Sequence, residues 1–277
     1  MAETLIASRD FVATMQDPDD PEMRKRNAIH TTAGAARFGF QGALVGGVTL
    51  YGWCIPTIIE AFGECWLDEG WVHVVFRRPT YPNTRLSVSI TRDEDGTNRL
   101  LATNEEGEAC LRGTVGLGDA PWLDEFQLST DRAPASPLDE REYLTIDIAP
   151  VGRDLRTLAY TVSEADARAA ATQAGDVDGL FGGDKPLVHP STIARHMMTL
   201  LQHSYDYGHP SIHVSSHIQN LKRVRAGQEL VLTGHFVETF EKGGHHYAVV
   251  DGDLFDAAGD EIARIRHTNI YKVAERG

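Results

Sequence analysis

The chain has 277 residues, 42% of them hydrophobic and 24% charged, with a formal net charge of −14. That acidic surplus repels polyanions and argues against nucleic acid as a ligand, and no apolar run approaches the roughly 20 residues of a membrane-spanning helix. Met1 to Gln16 lacks the basic, apolar and small-residue order of a secretion signal, and three cysteines (Cys54, Cys65, Cys110) without a CxxC pair give no disulfide framework, so a cytoplasmic protein is expected.

In chain order, the first sustained pattern runs from Val48 to Phe62, where Leu50, Tyr51, Trp53, Cys54, Ile55, Ile58 and Ile59 are apolar almost all round. A helix of that kind is surrounded by protein rather than lying on a surface, and Pro56 is expected to kink it. Four strand-like runs follow, Trp71–Arg77, Arg85–Asp93, Arg99–Asn104 and Glu108–Leu117, separated by Pro79, Pro82, Asp95-Gly96 and Gly107. Residues 119–141, with Pro121, Pro134 and Pro137 among acidic and small residues, read as a linker.

The order then recurs. Tyr143–Ile148 and Leu155–Val162 look extended, Glu164–Gln173 looks like a short helix, and Ser191–Tyr205 is amphipathic through Ile193, Ala194, Met197, Leu200 and Leu201. Strands return at Ser211–Leu221, Glu229–Glu241, His245–Phe255 and Glu261–Val273. Val72-His73-Val74 opens the first set of strands and Ile212-His213-Val214 the second, which suggests that the two triplets correspond. A helix followed by four strands, twice, predicts an α+β protein made of a duplicated unit, with domains at 1–118 and 142–277.

Asn27-Ala28-Ile29-His30, then Gly39-Phe40, then Leu44-Val45-Gly46-Gly47 opening the long helix resemble the MaoC-like (R)-specific enoyl-CoA hydratases, whose signature runs Asp-x-Asn-Pro-Ile/Leu-His, Gly-Phe and Ile-x-His-Gly. The resemblance implies a hotdog fold, here a double hotdog with antiparallel sheets each wrapping a central helix, and hydration or dehydration of an acyl-CoA thioester. It also implies roles: His30 as the proton-transfer histidine, Asn27 as the residue orienting the loop, and Gly47 as the backbone N–H facing the thioester oxygen, where the helix dipole favours negative charge. The position of the family's catalytic Asp is occupied by Lys25, and the signature proline and histidine become Ala28 and Gly46.

Two further activities fit the same resemblance. A hotdog thioesterase would use a carboxylate on the central helix, for which Glu60 is the candidate, and a non-catalytic acyl-thioester-binding subunit is suggested by Lys25 itself. A CoA ligand needs local positive charge against the acidic background, and Arg77-Arg78 and Lys222-Arg223 with Arg225 are the candidate phosphate contacts. His189, His196 and His203 recur every seven residues, about 10 Å apart along a helix, too far for one metal ion to bridge. His245-His246 and His267 are expected on adjacent strands, where they could meet. No metal site and no cofactor-binding motif is read from the chain. Fusion of two units removes the need for a partner to complete one hotdog pair, and a homodimer stays possible.

Overall fold

The computed structural model describes residues 3–15, 27–176, 179–208 and 210–274. The first half comprises β1 (Thr4–Val12), a short α1 (Thr32–Arg37), the long α2 (Gly47–Phe62), α3 (Trp66–Glu69), and β2 (Gly70–Phe76), β3 (Arg85–Arg92), β4 (Asn98–Asn104) and β5 (Ala109–Leu117). The second half comprises β6 (Arg153–Asp154), β7 (Leu158–Thr161), α4 (Glu164–Ala174), α5 (Gly179–Gly182), α6 (Pro190–Ser204), β8 (Ile212–Asn220), β9 (Glu229–Lys242), β10 (His245–Asp256) and β11 (Glu261–Lys272).

All eleven strands form one antiparallel sheet in the order β1-β3-β4-β5-β2-β8-β11-β10-β9-β6, with β7 also on β9. The halves join at the β2–β8 seam, where His73 faces His217 and the two rings stack with centroids 3.8 Å apart. A two-fold rotation about that pair exchanges the halves. Following the strand registers outward, it carries Arg85, the first residue of β3, onto Glu229, the first of β9. The central helices begin at Gly47 and Pro190. This is the double hotdog that the resemblance implies.

The sheet's inner face closes on α2 and α6. Ten consecutive residues of α2, Thr49 to Ile58, are buried, which explains an apolar pattern that ran all round the helix. The helix continues through Pro56 to Phe62 as one element. It packs closely on α6 at Gly52, where a Cβ would lie 3.2 Å from Ser191 Oγ, and Trp53 Nε1 donates to Gln173 O of α4 at 2.8 Å. Both halves contribute to one continuous core.

Three local expectations are corrected. The seam register makes His217, not His213, the counterpart of His73; the Ile212-His213-Val214 triplet lies nearer the start of β8, where an irregularity in the pairing with β11 between Thr268 and Asn269 shifts it out of simple alternation. Tyr143–Ile148 is not a strand: Tyr143 makes a single bridge to Asp206, and Ala149 N–H closes a turn on Thr145 O. His267 pairs across from Val250, whereas His246 faces Lys272, so those histidines do not meet. Two strands, β1 and the two-residue β6, are not read from the sequence. β1 is an edge strand in which Ala7 is the one fully buried residue, so its alternation is too faint to register.

The segment after β5 crosses the outer face of the sheet. Trp122 packs edge-on against Trp71 and His217, Gln127 N–H donates to Asp251 Oδ2 at 2.8 Å, and Arg266 bridges Asp251 and the Glu125 carbonyl. Among the described residues, no helix is long and apolar enough to cross a membrane.

Candidate functional site

The loop before α2 is built by its own side chains. Asn27 Oδ1 accepts from Ile29 N–H and caps a single 3-10 turn, Ala28–His30; Thr31 Oγ1 then caps α1 by accepting from Gly34 N–H. Gly34 admits no side chain, because a Cβ there would lie 2.0 Å from the Ala28 carbonyl oxygen. Leu44 N–H bonds Ile29 O and Val45 N–H bonds Thr80 O, which fixes the chain's entry into α2.

His30 is placed beside that entry. Its Nδ1 lies 2.7 Å from the Leu44 carbonyl oxygen. A carbonyl only accepts, so Nδ1 carries the proton and Nε2 carries the lone pair. Burial holds the ring's pKa below the ordinary histidine value, despite the opposing Leu44 hydrogen bond, and keeps the ring neutral near pH 7. The ring lies against Gly46: a Cβ on that residue would be 3.6 Å from His30 Cε1 and 3.9 Å from Nε2.

Gly46 is the N-cap of α2 and, having no side chain, makes no cap hydrogen bond. The first-turn N–H groups of a helix have no intrahelical acceptor, and the helix dipole adds positive potential there. The Gly47 N–H is thus a donor positioned one residue from the His30 ring.

The second half reaches the same place. Asn27 Nδ2 donates to the Ser211 carbonyl at 2.9 Å, tying the loop to the start of β8. A Cβ on Gly47 would meet His213 Nδ1 at 3.1 Å and Phe76 Cε2 at 3.2 Å, so glycine gives this approach its room. His213 packs on Phe76 and His267, with centroids 4.5 and 4.2 Å away, and its Nε2 is 2.8 Å from Ser216 Oγ, itself 3.2 Å from His267 Nδ1. Burial drives the pKa of His213 well below the usual range, with the neighbouring His267 adding to the effect, and burial alone takes His267 down to about 3. Asn269, the cross-strand neighbour of His213, is buried, and among the described residues neither its side-chain nitrogen nor its oxygen has a hydrogen-bond partner. No local pattern connects these second-half residues with His30, because the contact depends on how the halves meet.

The other predicted residues fall as follows. Arg77 and Arg78 follow Phe76, so they leave β2 at the end where Phe76 touches His213; both are exposed, and Arg78 pairs with Glu108 at 2.8 Å. Lys222, which the two-fold relates to Arg78, lies at the far end of the seam and contacts Asp256 and Asp260, each at 2.7 Å. Arg223 is held by Asp68 and Glu64, and Arg225 donates to the Lys185 carbonyl. Glu60 is in the last turn of α2, roughly 20 Å along the helix from Gly47, and pairs with Arg9 at 2.7 Å. Lys25, with Asp19, Asp20 and Glu22, lies outside the described residues. Of the sevenfold histidines, His189 caps α6, His196 bonds Thr192 O and stacks on Tyr160, and His203 bonds Ala135 O.

No family model matches the chain, and no curated protein matches its sequence. Solved structures do. A MaoC-domain protein of Chloroflexus aurantiacus assigned as a dehydratase superposes with a TM-score of 0.59 at 14% identity, covering 100% of this chain and 95% of its own. A Mycobacterium tuberculosis protein with a double hotdog fold, essential for bacterial survival during infection, gives 0.58 at 13%, with 95% and 96% covered. A Novosphingobium aromaticivorans protein assigned as a thioesterase gives 0.50 at 12%, with 98% and 99% covered. At such identities the likeness establishes the fold, and the reaction has to be argued from the site.

Proposed function

We propose that this protein is a MaoC-like hydratase or dehydratase that interconverts 2-enoyl and 3-hydroxyacyl thioesters of CoA. The observation that carries the reading is the juxtaposition at the start of α2: a neutral His30 with its Nε2 lone pair available lies beside the Gly47 N–H, which has no acceptor within its helix. Hydration of a conjugated thioester needs that pair, a base to take a proton from water and a donor for the oxygen that becomes enolate-like.

In this mechanism water attacks C3 of the enoyl group as His30 Nε2 accepts one of its protons. The C2–C3 π pair moves toward the thioester oxygen, which accepts a hydrogen bond from Gly47 N–H. His30 then returns the proton to C2, and the thioester carbonyl reforms. Dehydration is the same path reversed. The histidine must begin neutral, and its burial maintains that state. Asn27 acts by position, holding the loop to Ser211.

Arg77 and Arg78 are the proposed contacts for the CoA phosphates, because they leave β2 at the end nearest Gly47 and His213. Lys222 and Arg223 are engaged by four carboxylates and Arg225 by a carbonyl, and these serve the far edge of the seam. Glu60 is at the wrong end of α2 for an acid acting beside His30 and is paired with Arg9, so the thioesterase alternative lacks its expected carboxylate.

The test follows loss of the conjugated-enoyl absorbance of a crotonyl-CoA-like substrate alongside free-thiol release. The parent protein should hydrate without releasing CoA, and His30→Ala should lose about 10²–10⁴-fold in turnover with its fold intact. Thiol release by the parent would make it a thioesterase, and acyl-CoA binding without turnover would make it a binding subunit.

A further inference from the structure

The second half of the chain contributes a polar chain that His30 and Gly47 do not account for. His213, Ser216 and His267 lie in sequence along the inner face of β8 and β11, with contacts of 2.8 and 3.2 Å, and end at the first residue of α2. Their proton arrangement follows from their partners. His213 Nδ1 is buried and has no hydrogen-bond partner among the described residues. Ser216 Oγ has one hydrogen to give, so one of the two rings beside it donates to it and the other accepts from it, and the donor's part is assigned to His213 Nε2. The Ser216 hydroxyl receives that N–H and passes its own hydrogen to His267 Nδ1. His213 Nδ1 is left with an outward lone pair, 3.1 Å from where a Gly47 Cβ would be.

Two imidazole lone pairs therefore flank the start of α2, His30 Nε2 from the first half at Gly46 and His213 Nδ1 from the second half at Gly47. We propose that His213 is a second catalytic residue, which orients the attacking water by accepting one of its hydrogens while His30 accepts the other, so that the water's oxygen lone pair is turned toward C3 of the enoyl group. This rests on the hydration reading and adds to it: the halves make one active site between them, with the second half supplying the water-orienting acceptor. The proton balance is unchanged. One water O–H bond breaks, that proton goes to His30 and then to C2, and the O–C3 bond forms. The hydrogen held by His213 stays on oxygen and becomes the product hydroxyl's hydrogen.

The groups facing His213 are His267 and Ser216 on its own sheet and Phe76 and Gly47 across the seam. Among the described residues in contact with the ring, none is a carboxylate.

The experiment compares full-length His213→Phe, His213→Asn and Ser216→Ala with the parent and with His30→Ala, measuring enoyl-CoA hydration, KM and thermal unfolding. His213→Phe keeps the ring packing and loses the acceptor. It should drop kcat about 100-fold with KM changed less than about threefold and its melting temperature near the parent's. His213→Asn, whose amide oxygen reaches the position of Nδ1, should recover roughly tenfold of that loss, and Ser216→Ala should fall between the two because the tautomer is no longer fixed. A purely packing role predicts the reverse order, with Phe active and Asn impaired. Parent-like turnover in His213→Phe beside an inactive His30→Ala overturns the His213 assignment alone. A parent protein with no turnover in either direction overturns the hydration reading and this inference with it.

Discussion

The two central helices of the double hotdog begin with opposite first residues. α2 opens with Gly46-Gly47: no side chain of Gly46 caps it, and the ring of His30 lies against Gly46. α6 opens with His189-Pro190: the buried His189 ring accepts from Ser191 N–H and meets Ser191 Oγ at 2.8 Å, and Pro190 has no N–H to give. One N-terminus has no side-chain cap, and the other is satisfied by its own chain. Duplicating a fold therefore does not duplicate the chemistry of its helix starts.

The largest expected effect comes from making the first helix resemble the second. Gly47→Pro removes the N–H proposed to hold the thioester oxygen, and turnover should fall about 10²–10³-fold while proline at the first helical position leaves the helix formed. Gly47→Ala is the companion measurement. It keeps the N–H and places a Cβ 3.1 Å from His213 Nδ1, so the difference in enoyl-CoA hydration between the variants separates the donor from the space it needs.

Acid should expose the structural role of His189. Its pKa falls to about 3 through burial, below the 6.5 of an unfolded histidine, so its contribution to stability is complete above pH 6.5 and is lost as the pH falls from there toward 3. At pH 5 the loss from this one group is about 2 kcal/mol. Urea unfolding at pH 7 and pH 5 should show a steep decline in the parent, and a shallower one in His189→Gln from a lower starting stability. Equal slopes would mean that His189 is not buried as a neutral cap.

The two basic clusters extend the comparison outward, since the two-fold relates Arg78 to Lys222. Arg77→Ala/Arg78→Ala should weaken acyl-CoA binding about tenfold per lost phosphate contact, with a marked salt dependence and little change for a pantetheine thioester that lacks the nucleotide. Lys222→Ala/Arg223→Ala should leave binding unchanged, because those cations are already matched by Asp256, Asp260, Asp68 and Glu64. Calorimetric titration in both pairs checks this, and the reverse result would move the nucleotide to the other end of the seam. The smallest effect is the reciprocal of the first. Pro190→Gly should cost about 0.5–1 kcal/mol of stability, through greater freedom of the unfolded chain, and create no second active site, because His189 still caps the helix.

Most of the architecture was legible because each element carries its own period. The surrounded helix from Gly47, the four strands on each side and the glycine-marked turns are local consequences of alternation and breaker residues, and they appear within a residue or two of their expected limits. β1 was missed because an edge strand burying one alanine sends almost no alternation signal. The correspondence between Val72-His73-Val74 and Ile212-His213-Val214 was misread because sequence likeness does not set register; hydrogen bonding across the seam chose His217.

For the candidate site, the sequence determined the loop that carries Asn27 and His30 and the glycines that open α2, since a short cap, a turn and an uncapped helix start are written in contiguous residues. Only the tertiary structure decided that Glu60 is far from them, that Lys222 and Arg223 are matched by carboxylates, and that His213, Ser216, His267 and Asn269 stand on the opposite side of Gly47. The reason is physical. Contacts across the seam depend on the pairing of two strands separated by most of the chain and on the close approach that a missing Cβ at Gly47 permits, and neither quantity has a local period.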